Sequence, residues 1–174
     1  GWQALVATKS ALLPWWLRGS LAVNTPCVPR VTYTQPEIAA VGMSEKEVEA
    51  RYGTHGRRWW LIRITNDELD RAVADGEAPG GFVEVYIHRH GRVLGACIVS
   101  NRAGELIAIV AMAIQNHLHV NELVSTLHPY PSYAYALHKV WVAAATRKMQ
   151  NLKRNPLSRF GAIIYGARRA LTMR

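Results

Sequence analysis

The sequence is poor in cysteine and in the motifs that would hold a redox cofactor. Cys27 and Cys97 are the two cysteines among 174 residues, and no C-x-x-C pair is present. A redox disulfide or zinc knuckle of that spacing is therefore not encoded. The G-x-G-x-x-G fingerprint of dinucleotide-binding sites is missing as well. No apolar run reaches the length of a membrane-spanning helix.

Acidic residues are also scarce. Lys and Arg number 21 against 12 Asp and Glu, which gives a net charge of +9 and a pI near 10.0. Such an excess is compatible with nucleic acid, an anionic membrane surface or an acidic partner protein, and selects none of them. The aromatic residues fall in strand and core patterns and do not interleave with a basic stripe, so we expect no nucleic-acid binding.

The order of patterns predicts three parts. Residues 1–27 form an N-terminal helix (2–13) and a linker, residues 28–150 form one domain, and residues 151–174 form a basic amphipathic tail. Because the chain begins at Gly1, we expect a piece of a longer protein. The tail is compatible with an anionic membrane or with packing on missing domains, and its apolar side comprises Leu157, Phe160, Ile163, Ile164, Ala167 and Leu171. The membrane reading supports an alternative function, a basic binding or membrane-associating module without catalysis.

The sequence pattern of residues 28–150 predicts an antiparallel sheet followed by helices. The expected strands are two extended segments around Pro36, a strand at 57–65 and a hairpin at 82–100 that turns at 90–92. In the hairpin, Phe82, Glu84 and Tyr86 share one face, and Val83, Val85 and Ile87 share the other. Cys97 is expected to be a buried small hydrophobe.

Helix signals lie between and after these strands. Ser44 and Glu47 form a capping box for a helix that Gly53 ends. The polar stretch 66–81 predicts an exposed connection or a short helix. Three later helices are expected, at 103–118 and apolar nearly all round, at 121–127 capped by Asn121, and from Ser132 to about Gln150. The fold class is therefore α+β, with helices packed on one face of the sheet.

Polar side chains outside the core suggest few sites. His88 with His90, and His117 with His119, each offer two metal ligands without an evident third, so no metal site is expected. Arg71 has Asp67 or Asp75 within reach for a solvated ion pair. Glu105 begins a helix, where its charge favours the helix dipole. Without further information, the ring-rich stretch TLHPYPSYAY (126–135, the HPYP loop) is a rigid turn that fills an interface.

Three stretches together carry a family resemblance. They contain T-x-P-E-x-x-x-V-G from Thr34, A-G-E-L-I from Ala103, and HPYP from His128. In order and spacing they resemble the C-terminal dimerisation domain of class I pyridine nucleotide–disulfide oxidoreductases, such as dihydrolipoamide dehydrogenase, glutathione reductase and mercuric reductase. The resemblance covers Val28 to Val142.

The resemblance implies a cytoplasmic homodimer whose seam includes the helix 103–118 and the sheet. It implies that the HPYP loop reaches into the partner's active site, with Pro129 and Tyr130 near the partner's flavin. FAD and NAD(P)H would be bound by domains of the full-length protein that are absent here. We therefore expect this fragment to bind neither cofactor and to be inactive alone, with the rest of its own chain as a further partner.

The HPYP loop departs from the family at its catalytic positions. The resemblance places the family's acid/base histidine at Tyr130 and its supporting glutamate at Tyr135, while His128 lies two residues before the acid/base position. A tyrosine, with a pKa of about 10, is a poor base at neutral pH but a competent hydrogen-bond donor. Mercuric reductases also carry a tyrosine at the position that Tyr130 resembles. They end in a vicinal cysteine pair, however, and this chain ends ALTMR. We therefore expect that the protein does not turn over dihydrolipoamide or glutathione by the family's histidine–glutamate proton relay. We also expect that it is not a true mercuric reductase.

Overall fold

A computed structural model of the chain describes residues 4, 7, 8, 11–14, 27–77 and 79–154, and of 152–154 the backbone only. It contains one five-stranded antiparallel sheet in the order β1-β2-β5-β4-β3. The strands are β1 Arg30–Thr32, β2 Glu37–Gly42, β3 Trp59–Thr65, β4 Phe82–His88 and β5 Val93–Ser100. The α+β class and the antiparallel sheet are confirmed.

Helices occupy the connections and the C-terminal half. They are α1 Glu45–Tyr52, α2 Asp70–Ala74, α3 Ala103–Gln115, α4 Val120–Leu123 and α5 Tyr135–Arg154, with a 3₁₀ turn at Asn66–Glu68. The stretch 66–81 thus contains the short helix that was one of its two predicted forms. Among the described residues, no helix is both long and apolar enough to cross a membrane.

The main core lies on one face of the sheet, beneath α3 and α5. Alternation along the β4–β5 hairpin directs Val83, Val85 and Ile87 into this core, as predicted. From α3, Ile107 and Val110 pack down on β2 and β5, and α5 covers β3 and β4. A fully buried Trp141 of α5 belongs to the same cluster.

The second face of the sheet is only partly covered. The helix α1 packs there through Val48 onto Trp59, Tyr86 and Leu94, so the helices are not confined to one face. The Ser44–Glu47 capping box is present and Gly53 ends this helix, as predicted. Cys97 also points to this face and is half-buried beside Glu84 rather than in the main core; burial raises the pKa of its thiol.

The later helix boundaries differ from their prediction. The helix α4 begins at Val120 and is capped by His119 with Glu122, not by Asn121, and it ends at Leu123. The helix α5 begins at Tyr135 because the hydroxyl of Ser132 donates to the carbonyl of Pro129, 2.6 Å away, instead of capping a helix. The backbone of α5 continues to Arg154.

The helix α3 is shorter than predicted. It ends at Gln115, and within this chain only its sheet-facing side is buried, while Met112 is 57% exposed. Its N-terminus has no side-chain cap from Arg102. Instead, Glu37 on β2 accepts the backbone N–H of Gly104 at 2.9 Å.

At the N-terminus, the described positions 4, 7, 8, 11 and 12 are helical, in agreement with a helix over 2–13. The linker that follows and the apolar stripe of 155–174 lie outside the described residues. The three-part division of the chain stays a prediction.

Candidate functional site

The HPYP loop connects α4 to α5 and lies beside the segment 66–77. Its outer residues are strongly exposed: Leu127 at 92% and Tyr130 at 64%. Its inner residue, Tyr133, is buried in the main core. One loop therefore presents one aromatic ring to solvent and anchors another in the domain.

Tyr130 is held by an acidic neighbour far away in sequence. Its hydroxyl donates to the carboxylate of Asp70, the first residue of α2. The hydrogen bond with Asp70 and the negative charge of that carboxylate raise the pKa of Tyr130. The phenol therefore keeps its proton at neutral pH, where it is a hydrogen-bond donor and not a base.

Tyr133 is the anchor of the loop. Its hydroxyl lies within hydrogen-bond distance of two carboxylates, Asp75 Oδ2 at 3.2 Å and Glu77. Burial, and then the hydrogen bond with Glu77, raise the pKa of Tyr133. Because a phenol has one proton to donate, it serves one carboxylate at a time. The loop is thus attached to the 66–77 segment at two points.

Tyr135 and His128 join a ring cluster with a histidine that the sequence did not single out. The Tyr135 ring stacks on His138 at 5.2 Å between centroids and meets Tyr130 edge-on at 5.3 Å. The His128 ring lies 5.6 Å from that of His138. His138 follows Tyr135 by three residues on α5, so helical spacing was the signal that could have found it.

His128 is oriented by its own loop. Its Nδ1 lies 3.0 Å from the carbonyl oxygen of Thr126, so Nδ1–H donates and Nε2 is left as an acceptor. The buried Nδ1 of His138 has no hydrogen-bond partner among the described residues. Tyr130, Tyr135 and His128 therefore lie in one ring cluster through aromatic contacts, with no hydrogen bond among the three in the structure described.

A cleft of about 380 Å³ lies between the HPYP loop and the start of α3. Pro129 and Tyr133 form its loop side, and Leu106 forms part of its apolar floor. Its rim is charged and self-paired: Arg71 bonds Asp75 at 2.8 Å, and Arg102 lies 3.9 Å from Glu105. Of the two acids offered for Arg71, the structure thus selects Asp75.

The two histidine pairs of the sequence lie outside the HPYP loop. His88 and His90 lie at the β4–β5 turn with their rings 5.0 Å apart, and His119 caps α4. Among the described residues, no group of three His, Cys, Asp or Glu is placed to hold a metal ion.

Comparisons with known proteins agree with this fold. The sequence profile of the pyridine nucleotide-disulphide oxidoreductase dimerisation domain matches residues 28–140. A mercuric reductase of Acidithiobacillus ferrooxidans is 35% identical over 149 residues, which are 86% of this chain and 26% of that protein. An NAD(P)H dehydrogenase (quinone) of Mycobacterium tuberculosis is 36% identical over 115 residues, 66% of this chain and 22% of that protein.

Solved structures show the same fold. The crystal structure of LpdA from Mycobacterium tuberculosis superposes with a TM-score of 0.63 at 31% identity, covering 70% of this chain and 26% of that one. The fold and the profile match together define the class, a dimerisation domain of oxidoreductases. The chain belongs to the pyridine nucleotide-disulphide oxidoreductase dimerisation-domain family. It spans about a quarter of the length of these relatives.

Proposed function

We propose that this chain is the dimerisation part of an FAD-dependent, NAD(P)H-linked oxidoreductase and that it supplies the HPYP loop to the flavin site of a second copy. The observation that carries the proposal is the outward position of Tyr130 on a loop that Tyr133 anchors in the core. An exposed aromatic ring on a fixed loop suits contact with a partner surface. Membership of the family supports the same role.

The chemistry proposed for Tyr130 is donation, not proton abstraction. Its single hydroxyl proton points to Asp70 in this structure, so to stabilise a thiolate or a flavin oxygen the hydroxyl would turn from Asp70 and donate to that atom instead. Tyr135 brings a ring stacked on His138 where the family resemblance expects a carboxylate. The substrate is therefore proposed to be one that needs no histidine–glutamate relay at this loop, which disfavours dihydrolipoamide and glutathione.

The proposed seam is the outer side of α3. Ala108 and Met112 lie exposed on this side, and Ile109 and Ala111 are only half-buried beside them. An apolar helix side that the single chain leaves in water is stabilised when a second copy covers it. The seam would place the HPYP loop, which shares a cleft with α3, next to the partner.

Sedimentation velocity of the chain at micromolar concentration tests the seam. We expect a dimer, and we expect Met112→Arg to give a monomer because a charge would be buried at the interface. Met149→Arg is the matched control, since Met149 is 60% exposed on α5, away from α3. A wild-type monomer, or dissociation by Met149→Arg alone, would contradict the proposed seam.

Kinetics of the complete protein test the loop. We expect Tyr130→Phe to lower kcat about tenfold or more while dimer mass and flavin content stay unchanged, because one donor is lost. Tyr33→Phe is the matched control, since Tyr33 is 79% exposed near β1. An unchanged kcat in Tyr130→Phe would contradict the role proposed for the tyrosine hydroxyl and would leave the proposed seam untouched.

Peripheral membrane contact through 155–174 stays a separate proposal. It rests on the basic amphipathic pattern alone. Co-sedimentation of the chain with anionic vesicles would support it, and equal recovery with neutral and anionic vesicles would contradict it.

A further inference from the structure

A second cleft lies at the far end of the hairpin from the HPYP loop. It has a volume of about 590 Å³ between the end of α1, the connection to β3 and the β4–β5 turn. Four arginines line it, contributed by these three segments: Arg51, Arg57, Arg58 and Arg89. We call it the arginine cleft. The family resemblance does not account for it.

The positive charge of the arginine cleft is unbalanced. None of its four arginines pairs with a carboxylate among the residues that the structure describes, whereas Arg63, Arg71 and Arg102 elsewhere do. Arg89 instead donates to Nε2 of His90 at 3.3 Å. Guanidinium groups that line one cleft without a paired acid repel each other, and a bound anion reduces that repulsion.

The pKa values of the two histidines of the cleft are lowered by burial and, in part, by the same positive charges. His88 Nδ1 accepts the backbone N–H of His90, so both rings offer lone pairs in their neutral forms. Burial lowers the pKa of His88, followed by the positive charges of its neighbours His90, Arg92, Arg89 and Arg58. For His90, burial is again the first cause, and Arg89, Lys148 and His119 follow.

Backbone contacts hold the walls in place without help from a ligand. The N–H of Arg89 donates to the carbonyl of Arg58 at 2.8 Å, which ties the hairpin turn to the connection before β3. The indole of the buried Trp59 donates to the carbonyl of Gly53 at 2.6 Å, which fixes the end of α1. A site formed before binding loses less entropy when it binds.

We propose that the arginine cleft binds the polyphosphate group of a small molecule. The planar fork of arginine matches phosphate oxygens in bidentate fashion, and arginines on three separate segments favour an anion with several phosphates over a single one. The volume lies in the range of small-molecule sites. The Tyr52 and His88 rings, 5.2 Å apart, provide a surface for an attached base or ring.

Calorimetric titration of the full chain with pyrophosphate tests this assignment. We expect saturable binding with one site per chain that weakens as salt increases. The double variant Arg58→Gln/Arg89→Gln should weaken it about tenfold or more, because two charge-assisted contacts are lost. The control Arg30→Gln/Arg102→Gln removes equal charge from the opposite edge of the sheet and the opposite end of the hairpin, and should bind as the wild type does.

Titrations with ATP and AMP distinguish the source of the phosphates. Tighter binding of ATP than of pyrophosphate supports a nucleotide, and equal binding supports a free polyphosphate. AMP binding as tightly as ATP would contradict a polyphosphate site. Equal losses of pyrophosphate affinity in both double variants would also contradict the assignment. Loss of affinity in the control variant alone would contradict it too, and would place binding in the cleft beside Arg102.

A longer polyanion is the remaining alternative outcome. If duplex DNA displaces pyrophosphate and binds without a fixed stoichiometry, the arginine cleft is part of a nucleic-acid surface, and the small-molecule assignment is overturned. If pyrophosphate binds and DNA does not compete, the assignment stands.

Discussion

Tyr130 and Tyr133 lie three residues apart and have opposite environments. Both hydroxyls donate to carboxylates of the 66–77 segment, at sequence separations of 60 and 58 residues for the Asp70 and Asp75 contacts. Tyr130 is exposed and available to a partner, whereas Tyr133 is buried and fixes the loop. Separating the two effects requires substitutions that remove one hydroxyl at a time.

Tyr133→Phe should destabilise the chain by about 1 kcal/mol, because one partly buried hydrogen bond to a charged group is lost while the ring still fills the core. Urea denaturation followed by tryptophan fluorescence measures the change. Tyr130→Phe should leave the urea midpoint nearly unchanged, because its hydroxyl is exposed. Equal shifts in both variants would contradict the assignment of Tyr133 as the anchor.

His88 makes stability depend on pH. Its folded-state pKa lies below the ordinary 6.5, so the unfolded chain binds a proton more readily near that pH. The contribution is complete above pH 6.5 and is lost as pH falls through the folded-state pKa. The groups that face His88 are the Tyr52 ring and four bases, none of which offsets the effect: Arg58, Arg89, His90 and Arg92.

The thermal midpoint should therefore fall less between about pH 7.5 and about pH 5.5 in His88→Gln than in the wild type. The control His117→Gln removes an exposed histidine beyond α3, outside the arginine cleft, and shows what loss of a histidine elsewhere does to the slope. Saturating pyrophosphate should reduce the wild-type slope, because a bound anion favours the charged imidazole. Identical slopes in wild type and His88→Gln would contradict the role given to His88.

At the scale of elements, the sequence predicted whatever rests on local rules. The Ser44–Glu47 box, the β4–β5 hairpin and its two faces follow from neighbouring residues and from the period of two. Helix ends failed where a competing contact decided them. Ser132 bonds Pro129, and His119 caps α4 in place of Asn121. The outer side of α3 is as apolar as that of a core helix, and composition does not indicate whether the same chain or a second copy covers it.

Gly95 on β5 marks a contact that no periodicity reveals. A Cβ added there would lie 2.1 Å from the backbone oxygen of Met43, which belongs to the turn between β2 and α1. Gly95→Ala should cost about 1–3 kcal/mol of unfolding free energy, since backbone atoms must move apart. Gly104→Ala in α3 is the control, with its nearest atom, Glu37 Oε2, at 3.4 Å. It should be neutral or gain about 0.5–1 kcal/mol from helix propensity.

At the scale of the whole molecule, the fold could be predicted and the candidate site only in part. Alternation and capping give a sheet with helices, and the motifs around Thr34 and Ala103 give the family. The partners Asp70, Asp75 and Glu77 could not be found, because they meet the HPYP loop only after the chain has folded. The arginine cleft joins three segments in the same way.

A seam on α3 has a consequence for the stability of the assembly. The thermal midpoint of the chain should rise with protein concentration, because association stabilises the folded state by mass action. Differential scanning at two concentrations a hundredfold apart measures the shift. Met112→Arg should abolish the dependence and Met149→Arg should retain it. If the thermal midpoint of the wild type does not depend on concentration, a dimer whose dissociation accompanies unfolding is contradicted.

Glu37 gives the T-x-P-E motif a physical meaning. Its carboxylate, on a strand 67 residues upstream, accepts the Gly104 N–H that the first turn of α3 would otherwise leave without a partner. A peptide of 103–115 alone therefore lacks part of its own helix start. The start of the helix that carries the proposed seam is therefore held by an early strand, so a change near the beginning of the domain can misalign a surface that forms much later in the chain.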